Sequence, residues 1–271
     1  MGEAMLAGLV DRDLIDRSRV TASHPRAERR EALANTHGVS VTDDNVAVAR
    51  DADILLLAVK PQMLGAVMKE LTGRLRPEQL VISVIAGAST RALSDGLQHQ
   101  AVVRSMPNTP AQIGQGVTVW FATSSVEQPA RQRVRAMLGA LGREFEVHDE
   151  RLVAMATAVS GTGPTFIFLF IEAMTDAAVH LGFPRHVARE LVLDTMSGSA
   201  AFALQSGKHV AELRDMVTSP GGTSAEALYQ LEKGGLRTVV SDAVWAAFER
   251  TLQLEARLEG DDGTPDQRRR R

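Results

Sequence analysis

The sequence predicts an α/β half built on a doubly wound, parallel sheet, followed by an all-helical half. Three observations carry this. From residue 18 to about 147, short β-rich runs alternate with helical stretches, the pattern of a parallel sheet wrapped by helices. The run Asp53-Ile54-Leu55-Leu56-Leu57-Ala58-Val59 is almost continuously apolar, as a strand covered on both faces must be. After about His148 the strand signal stops, and helical runs separated by Gly/Pro breaks take over.

In chain order, Met1-Gly2-Glu3-Ala4-Met5-Leu6-Ala7-Gly8-Leu9 reads as a helix. Strands follow at 19–22, 53–59, 80–85, 101–106, 117–122 and 144–147, with helices such as 25–35 and 129–141 between them. The second half reads as helices at 152–158, 164–181, 185–205, 210–217 and 236–258, broken at 161–164, 182–184 and Gly207. The segment 165–179 is apolar nearly all round, which places it inside a bundle or against another subunit. The expected division is 1–148, 149–260 and a disordered tail at 261–271, where a Gly/Asp/Pro-rich end finishes in four arginines.

Composition narrows the function classes. At 271 residues the chain can build two domains with real cores. A formal net charge of −3 gives no global electrostatic reason to bind nucleic acid. Having no cysteine excludes disulfides, thiolate metal sites and a cysteine nucleophile. The seven histidines show no HxxxH pairing, so no metal site is expected. The longest apolar run, 166–171, stops at Glu172 and is too short to span a bilayer. No signal peptide opens the sequence, and a soluble cytoplasmic protein is expected.

The stretch Val217-Thr218-Ser219-Pro220-Gly221-Gly222-Thr223-Ser224 carries the most chemistry. Pro220 fixes its φ, and the two glycines permit backbone angles closed to other residues and let a ligand approach the main chain. Thr223 and Glu226 have capping-box spacing, and 225–233 has helical composition ending at Gly234-Gly235. A helix start behind a glycine turn favours a carboxylate or phosphate. A plain tight turn with a capped helix fits the same residues.

The N-terminus is unusual for a Rossmann-like sheet. There, an apolar strand leads through G-x-G-x-x-G into a helix, with the phosphates over the turn. Here Gly2 fits the third glycine, and the strand and first two glycines have no counterpart. The expectation is that Met1 is an internal methionine of a longer chain; a chain that opens with a surface helix is the alternative.

Taken together, Gly2-Glu3-Ala4-Met5, Ala58-Val59-Lys60-Pro61, Ile85-Ala86-Gly87, Arg104-Ser105-Met106-Pro107-Asn108-Thr109-Pro110, Ser160-Gly161-Thr162-Gly163-Pro164 and the segment through Ser224 resemble the pyrroline-5-carboxylate reductase family. The resemblance runs from Gly2 to about Leu258 and departs at the missing first strand. It implies reduction of a cyclic imine to proline with a nicotinamide cofactor. The implied cofactor set is Gly2, Ser23, Arg26, Asn45, Ala58, Val59, Lys60, Pro61, Ala86 and Asn108, with Val59, Lys60 and Ala86 against the nicotinamide. Ser224 is implied as proton donor or relay, where threonine is common in the family. The implied carboxylate cradle is Val217, Ser219, Gly221, Gly222 and Thr223, and Glu150 is implied near the ring nitrogen. The resemblance also implies a homodimer or higher homo-oligomer, in which the cradle of one subunit faces the nucleotide domain of its partner. A small-molecule substrate is the expected ligand, with neither nucleic acid nor membrane as partner.

Cofactor choice is read at Val20-Thr21-Ala22-Ser23-His24-Pro25-Arg26. An NAD enzyme usually places an acid there for the ribose 2′-hydroxyl. No acid is present; Ser23 and Arg26, followed by Arg29 and Arg30, suit a 2′-phosphate. NADPH is therefore expected over NADH. Asn45, before a helix at 46–50, reads equally as a helix cap. Two other functions stay open: a related reductase of another imine or a 3-hydroxy acid, and a non-catalytic dimer that has lost its nucleotide site.

Overall fold

The computed structural model describes residues 1–260; the tail expected at 261–271 lies outside the described residues. Helix α1 (Gly2–Asp11) buries Met5, Leu6, Leu9 and Val10. Leu6 and Val10 join Leu33 and Val39 in one apolar cluster. Met5 enters another with Ile82, Val103 and Trp120. One helix thus seals two cores.

Strand β1 (Thr21–Ser23), helix α2 (Ala27–His37) and strand β2 (Ser40–Thr42) follow. β1 and β2 pair in parallel as a two-stranded sheet. β2 was not expected, because three half-exposed residues are too few to show an alternating pattern. Then come α3 (Asn45–Asp51), β3 (Ile54–Leu57), α4 (Pro61–Leu71), β4 (Leu80–Ser83), α5 (Thr90–Leu97), β5 (Val102–Met106), β6 (Gly116–Ala122), α6 (Gln128–Gly139) and β7 (Gly142–Glu146). The second sheet has the order β3-β4-β5-β6-β7. It shares no strand pairing with the first, which leaves one edge each of β1 and β3 unpaired among the described residues.

The sheet is parallel from β3 to β5, as a Rossmann-like fold requires, but β6 runs antiparallel to β5. This corrects the all-parallel expectation. Only a 3-10 turn, Thr109–Ile113, lies in the connection, and a parallel crossover needs a dozen or more residues. β4 is buried along its whole length. Each fully buried leucine around it, such as Leu64, Leu93 and Leu97, contributes about 1.5–3 kcal/mol.

The second half is helical: α7 (Arg151–Ala156), a π-helical turn Thr157–Gly161, α8 (Gly163–His180), α9 (Arg185–Ser206), α10 (Val210–Met216), α11 (Thr223–Lys233) and α12 (Leu236–Leu258). The break expected at 161–164 is instead the π-turn, closed by the Thr162 amide donating to Thr157 O at 2.8 Å. Pro164 then falls in the first turn of α8, where no amide hydrogen is required. Within the run Arg151–His180 an 18-residue window reaches a mean hydropathy of 1.6, enough by length and composition alone to cross a membrane, a test that core helices of soluble proteins also pass.

By compactness the chain divides into Met1–Thr162 with the chain from Ala246 onward, and Gly163–Trp245. The break at 148 expected from the loss of strand signal therefore falls later in the structure. α7 packs on β5 and β6, which keeps it with the sheet. Within the second unit α8 packs against α9. Ile167, Phe168, Leu169 and Phe170 nevertheless stay exposed, so α8 is not the interior of a single-chain bundle.

α6 is clamped to β7 by charge. Arg131 and Arg135 both donate to Glu146, and Arg131 also donates to Val126 O at 2.8 Å and Thr123 O at 3.1 Å. Burial works against the Glu146 carboxylate, but the two arginines outweigh it and hold its pKa below the usual 4.5. A carboxyl lowered in this way stabilises the fold fully above its unfolded pKa and loses that contribution as pH falls through the folded pKa. Glu146→Gln is expected to cost about 1–3 kcal/mol at pH 7. Denaturation of both proteins from pH 7 to 3 checks this: the gap should close on the acid side.

Candidate active site

The glycine turn sits in the second unit, between α10 and α11. It closes with the Gly222 amide donating to Ser219 O at 3.0 Å. Gly221 has φ +68, the left-handed angle that the third residue of a Pro-Gly turn demands. A Cβ on Gly222 would run into the Ser219 hydroxyl. Both glycines are therefore required by the shape of the turn.

α11 starts at Thr223 with Gly222 as N-cap and no side-chain cap bond. The expected Thr223/Glu226 capping box does not form, because Thr223 lies one residue inside the helix rather than at its cap. Instead the amides of Thr223 and Ser224 donate to nothing among the described residues. With the helix dipole behind them, about half a positive charge faces the turn. The Ser224 hydroxyl is half-buried and makes no hydrogen bond there, while Val217, Ser219, Gly221 and Thr223 are exposed. The arrangement can take a small anion and offer a hydroxyl beside it.

In the first unit, the carboxyl ends of β3 and β4 hold the predicted cofactor contacts. Ala58 and Lys60 are exposed and Val59 half-buried; Lys60 caps α4 with Pro61 in its first turn. Gly2 comes so close that a Cβ on it would lie 2.8 Å from the Ala58 Cβ. The first turn of α1, with its unpaired amides, thus stands at the end of β3, a place suited to a pyrophosphate. Ala86 lies in the turn after β4, beside Gly87 at φ +79.

At the end of β1, Ser23 donates to Asn45 Oδ1 at 2.5 Å, and Asn45 donates to Glu70 at 2.7 Å. Asn45 is not a cap; Asp44 fills that position, accepting from the Val46 and Ala47 amides. Of the three arginines, two are spent. Arg29 pairs with Glu3, and Arg30 donates to the His24 and Pro25 carbonyls and faces Asp43 at 3.4 Å. Burial opposes ionisation of Glu3, yet His37 and Arg29 keep its pKa below 4.5. Of these three, Arg26 alone is exposed and has no partner for its guanidinium among the described residues. Helix terminus and open strand ends together fit a dinucleotide, with the exposed Arg26 cation at the end of β1.

Two predicted contacts have other work. Asn108 is buried; its Oδ1 accepts from the Val117 amide at 2.9 Å and its Nδ2 donates to Ser160 O at 3.2 Å. It bolts the end of β5 to β6 and the π-turn and has no free polar atom for a cofactor. Glu150 accepts from the Thr90 amide at 2.7 Å, the Thr90 hydroxyl at 2.5 Å and Arg104 at 3.0 Å. Both its oxygens are engaged in the fold, in the buried cluster around Arg104. Sequence reasoning overlooked Arg104 itself, although an arginine inside the apolar run Val102-Val103-Arg104-Ser105-Met106 was the signal.

Comparison with known proteins places the chain in a family. Residues 150–254 match a family model described as pyrroline-5-carboxylate reductase dimerisation, and residues 1–87 one described as NADP oxidoreductase coenzyme F420-dependent. A pyrroline-5-carboxylate reductase of Synechocystis is 40% identical over 255 residues, covering 94% of each chain. One of Pseudomonas aeruginosa is 38% identical over 259 residues, covering 95% of this chain and 94% of the relative. The crystal structure of a Plasmodium falciparum pyrroline carboxylate reductase with NADP bound superposes with a TM-score of 0.87 at 30% identity, covering 94% of both chains.

Asn108→Ala leaves the Val117 amide and Ser160 carbonyl without their partner. It is expected to lose about 1–3 kcal/mol of stability in a denaturation experiment, with NADPH affinity unchanged.

Proposed function

Because the chain belongs to the pyrroline-5-carboxylate reductase family, we propose that its glycine turn holds the carboxylate of 1-pyrroline-5-carboxylate while Ser224 protonates the ring nitrogen. The protein is an NAD(P)H-dependent oxidoreductase that reduces this cyclic imine to L-proline. When bound, the nicotinamide supplies a hydride to the imine carbon. The free Thr223 and Ser224 amides at the positive end of α11 bind the carboxylate and orient the ring. As the C=N bond takes up two electrons, charge grows on nitrogen, and the unpaired Ser224 hydroxyl donates or relays the proton that neutralises it. The single observation carrying this division is that the amides and hydroxyl of one helix start are all unpartnered.

On the cofactor side, the amides of the α1 first turn bind the pyrophosphate, and Ala58, Val59, Lys60, Pro61 and Ala86 bound the nicotinamide end. Arg26 takes the 2′-phosphate, with Ser23 and Asn45 shaping the strand end beside it. NADPH is preferred over NADH; the exposed Arg26 cation and the lack of an acid at 20–26 support this. The enzyme acts in the cytoplasm as a homo-oligomer, each cradle serving its partner's nucleotide domain. The exposed apolar residues of α8 and the dimerisation match support the assembly.

Imine-dependent NADPH oxidation tests the reading, and none in the wild type would overturn it. Ser224→Ala should lower kcat by about 10²-fold or more. Its denaturation midpoint should stay near the wild type, because the hydroxyl holds nothing in the fold. A Ser23→Glu, Arg26→Ala enzyme should lose about ten- to a hundredfold in kcat/KM for NADPH, from the loss of charge-assisted bonds to the phosphate. Unchanged preference in that variant would remove Arg26 from the cofactor site.

A further inference from the structure

Arg104 is the most deeply buried charge of the first unit, with 4% of its side chain exposed. It lies on β5 and binds two carboxylates: Glu150 at the start of α7 and Glu255 near the end of α12. Glu150 passes the contact on to the amide and hydroxyl of Thr90, the first residue of α5. The preceding residue, Ser89, caps α5 through the Ala92 amide and donates to Glu259, just past the end of α12, at 2.5 Å. Between them Gly87 lies against the same helix. A Cβ on it would come within 2.8 Å of the Leu254 Cβ and 3.3 Å of the Glu255 amide nitrogen.

These contacts surround one short segment, residues 86–90, in the passage from β4 into the first residue of α5. The end of α12 holds it on one side, through Leu254, Glu255 and Glu259. Arg104 and Glu150 hold it on the other. A surface-loop reading does not account for this density of charge, since removing a guanidinium from water is worthwhile only where both carboxylates are fixed. Nothing in the proposed reaction uses Arg104, Glu255 or Glu259 directly.

We propose that Arg104, acting through Glu150 and Glu255, is a positioning residue that sets the turn at 86–90, and with it Ala86, against the reacting end of the cofactor. This rests on the reading that the β4–α5 turn bounds the nicotinamide. The turn is not self-supporting: its glycine permits a left-handed backbone angle but cannot hold it, and the restraint comes from the Glu150 and Glu259 carboxylates on Thr90 and Ser89 and from the α12 backbone at Leu254 and Glu255, which Arg104 ties down. Loosening it misaligns hydride donor and imine carbon while leaving the adenosine end, at Ser23 and Arg26, untouched. Misplacement on the scale of 1 Å lowers a rate by about 10²-fold without a matching loss of affinity.

Glu255→Gln and Arg104→Lys are the test, the first retaining a neutral hydrogen-bonding side chain in case the second fails to fold. Hydrogen exchange of the protein without cofactor should quicken at residues 86–92 and stay at the wild-type rate in β1 and α2. In the same variants kcat should fall by about ten- to a hundredfold and the primary isotope effect with deuterated NADPH should rise, while the NADPH dissociation constant changes less than about threefold. A general loss of folding would quicken exchange throughout and leave the isotope effect unmoved, which overturns the proposal. So would faster exchange at the turn with wild-type kcat, because the turn would then not bound the reacting ring. A wild type that oxidises NADPH with the imine, beside variants unchanged in every readout, would sink this inference and leave the function standing.

Discussion

A guanidinium almost wholly removed from water must have its charge matched, and Arg104 meets that constraint with Glu150 and Glu255. Deleting one partner of such a buried cluster typically destabilises by about 3–5 kcal/mol, because the remaining charge is stranded. The pairing fixes more than itself. β5, the residue capping α7, the start of α5 and the end of α12 all meet at this cluster. Glu150 belongs to this cluster, with three donors already on its carboxylate.

The apolar side of the fold depends on α1 in a comparable way. Its two faces belong to different clusters, one with β1, β2 and α2 and one with β4, β5 and β6. The two sheets share no strand pairing, so the cores sealed by this helix hold them in register. Close packing brings Gly2 onto Ala58, which sets the positive helix end where a phosphate is wanted. A side chain at residue 2 would push that terminus away from the strand.

The same economy appears at the glycine turn before α11. Gly221 supplies the left-handed angle and Gly222 the clearance from Ser219, and the result is a helix that starts without a side-chain cap. Two amides and a hydroxyl are left unpartnered as a consequence. In a helix built only for stability a capping side chain would satisfy one of them, worth about 1 kcal/mol. Leaving the position uncapped gives up that stabilisation and keeps the donors available to a carboxylate.

Much of this was legible in the sequence. Alternating β-rich and helical runs gave the sheet half, the loss of that alternation gave the helical half, and Pro220-Gly221-Gly222 located the turn before an uncapped helix start, because each depends on local composition and spacing. What the tertiary structure alone decided was which polar groups were already taken. Arg29, Arg30, Asn108 and Glu150 were as plausible as Arg26 from their neighbours in the chain. Their partners Glu3, Asp43, Val117 and Arg104 come from other elements, and the sequence does not announce those meetings. The reversed strand β6, the π-turn in place of a break and the α12 contacts with the β4–α5 turn follow the same rule. Backbone preference is a local property, but the pairing of buried charges and donors is settled by which segments the folded chain brings together.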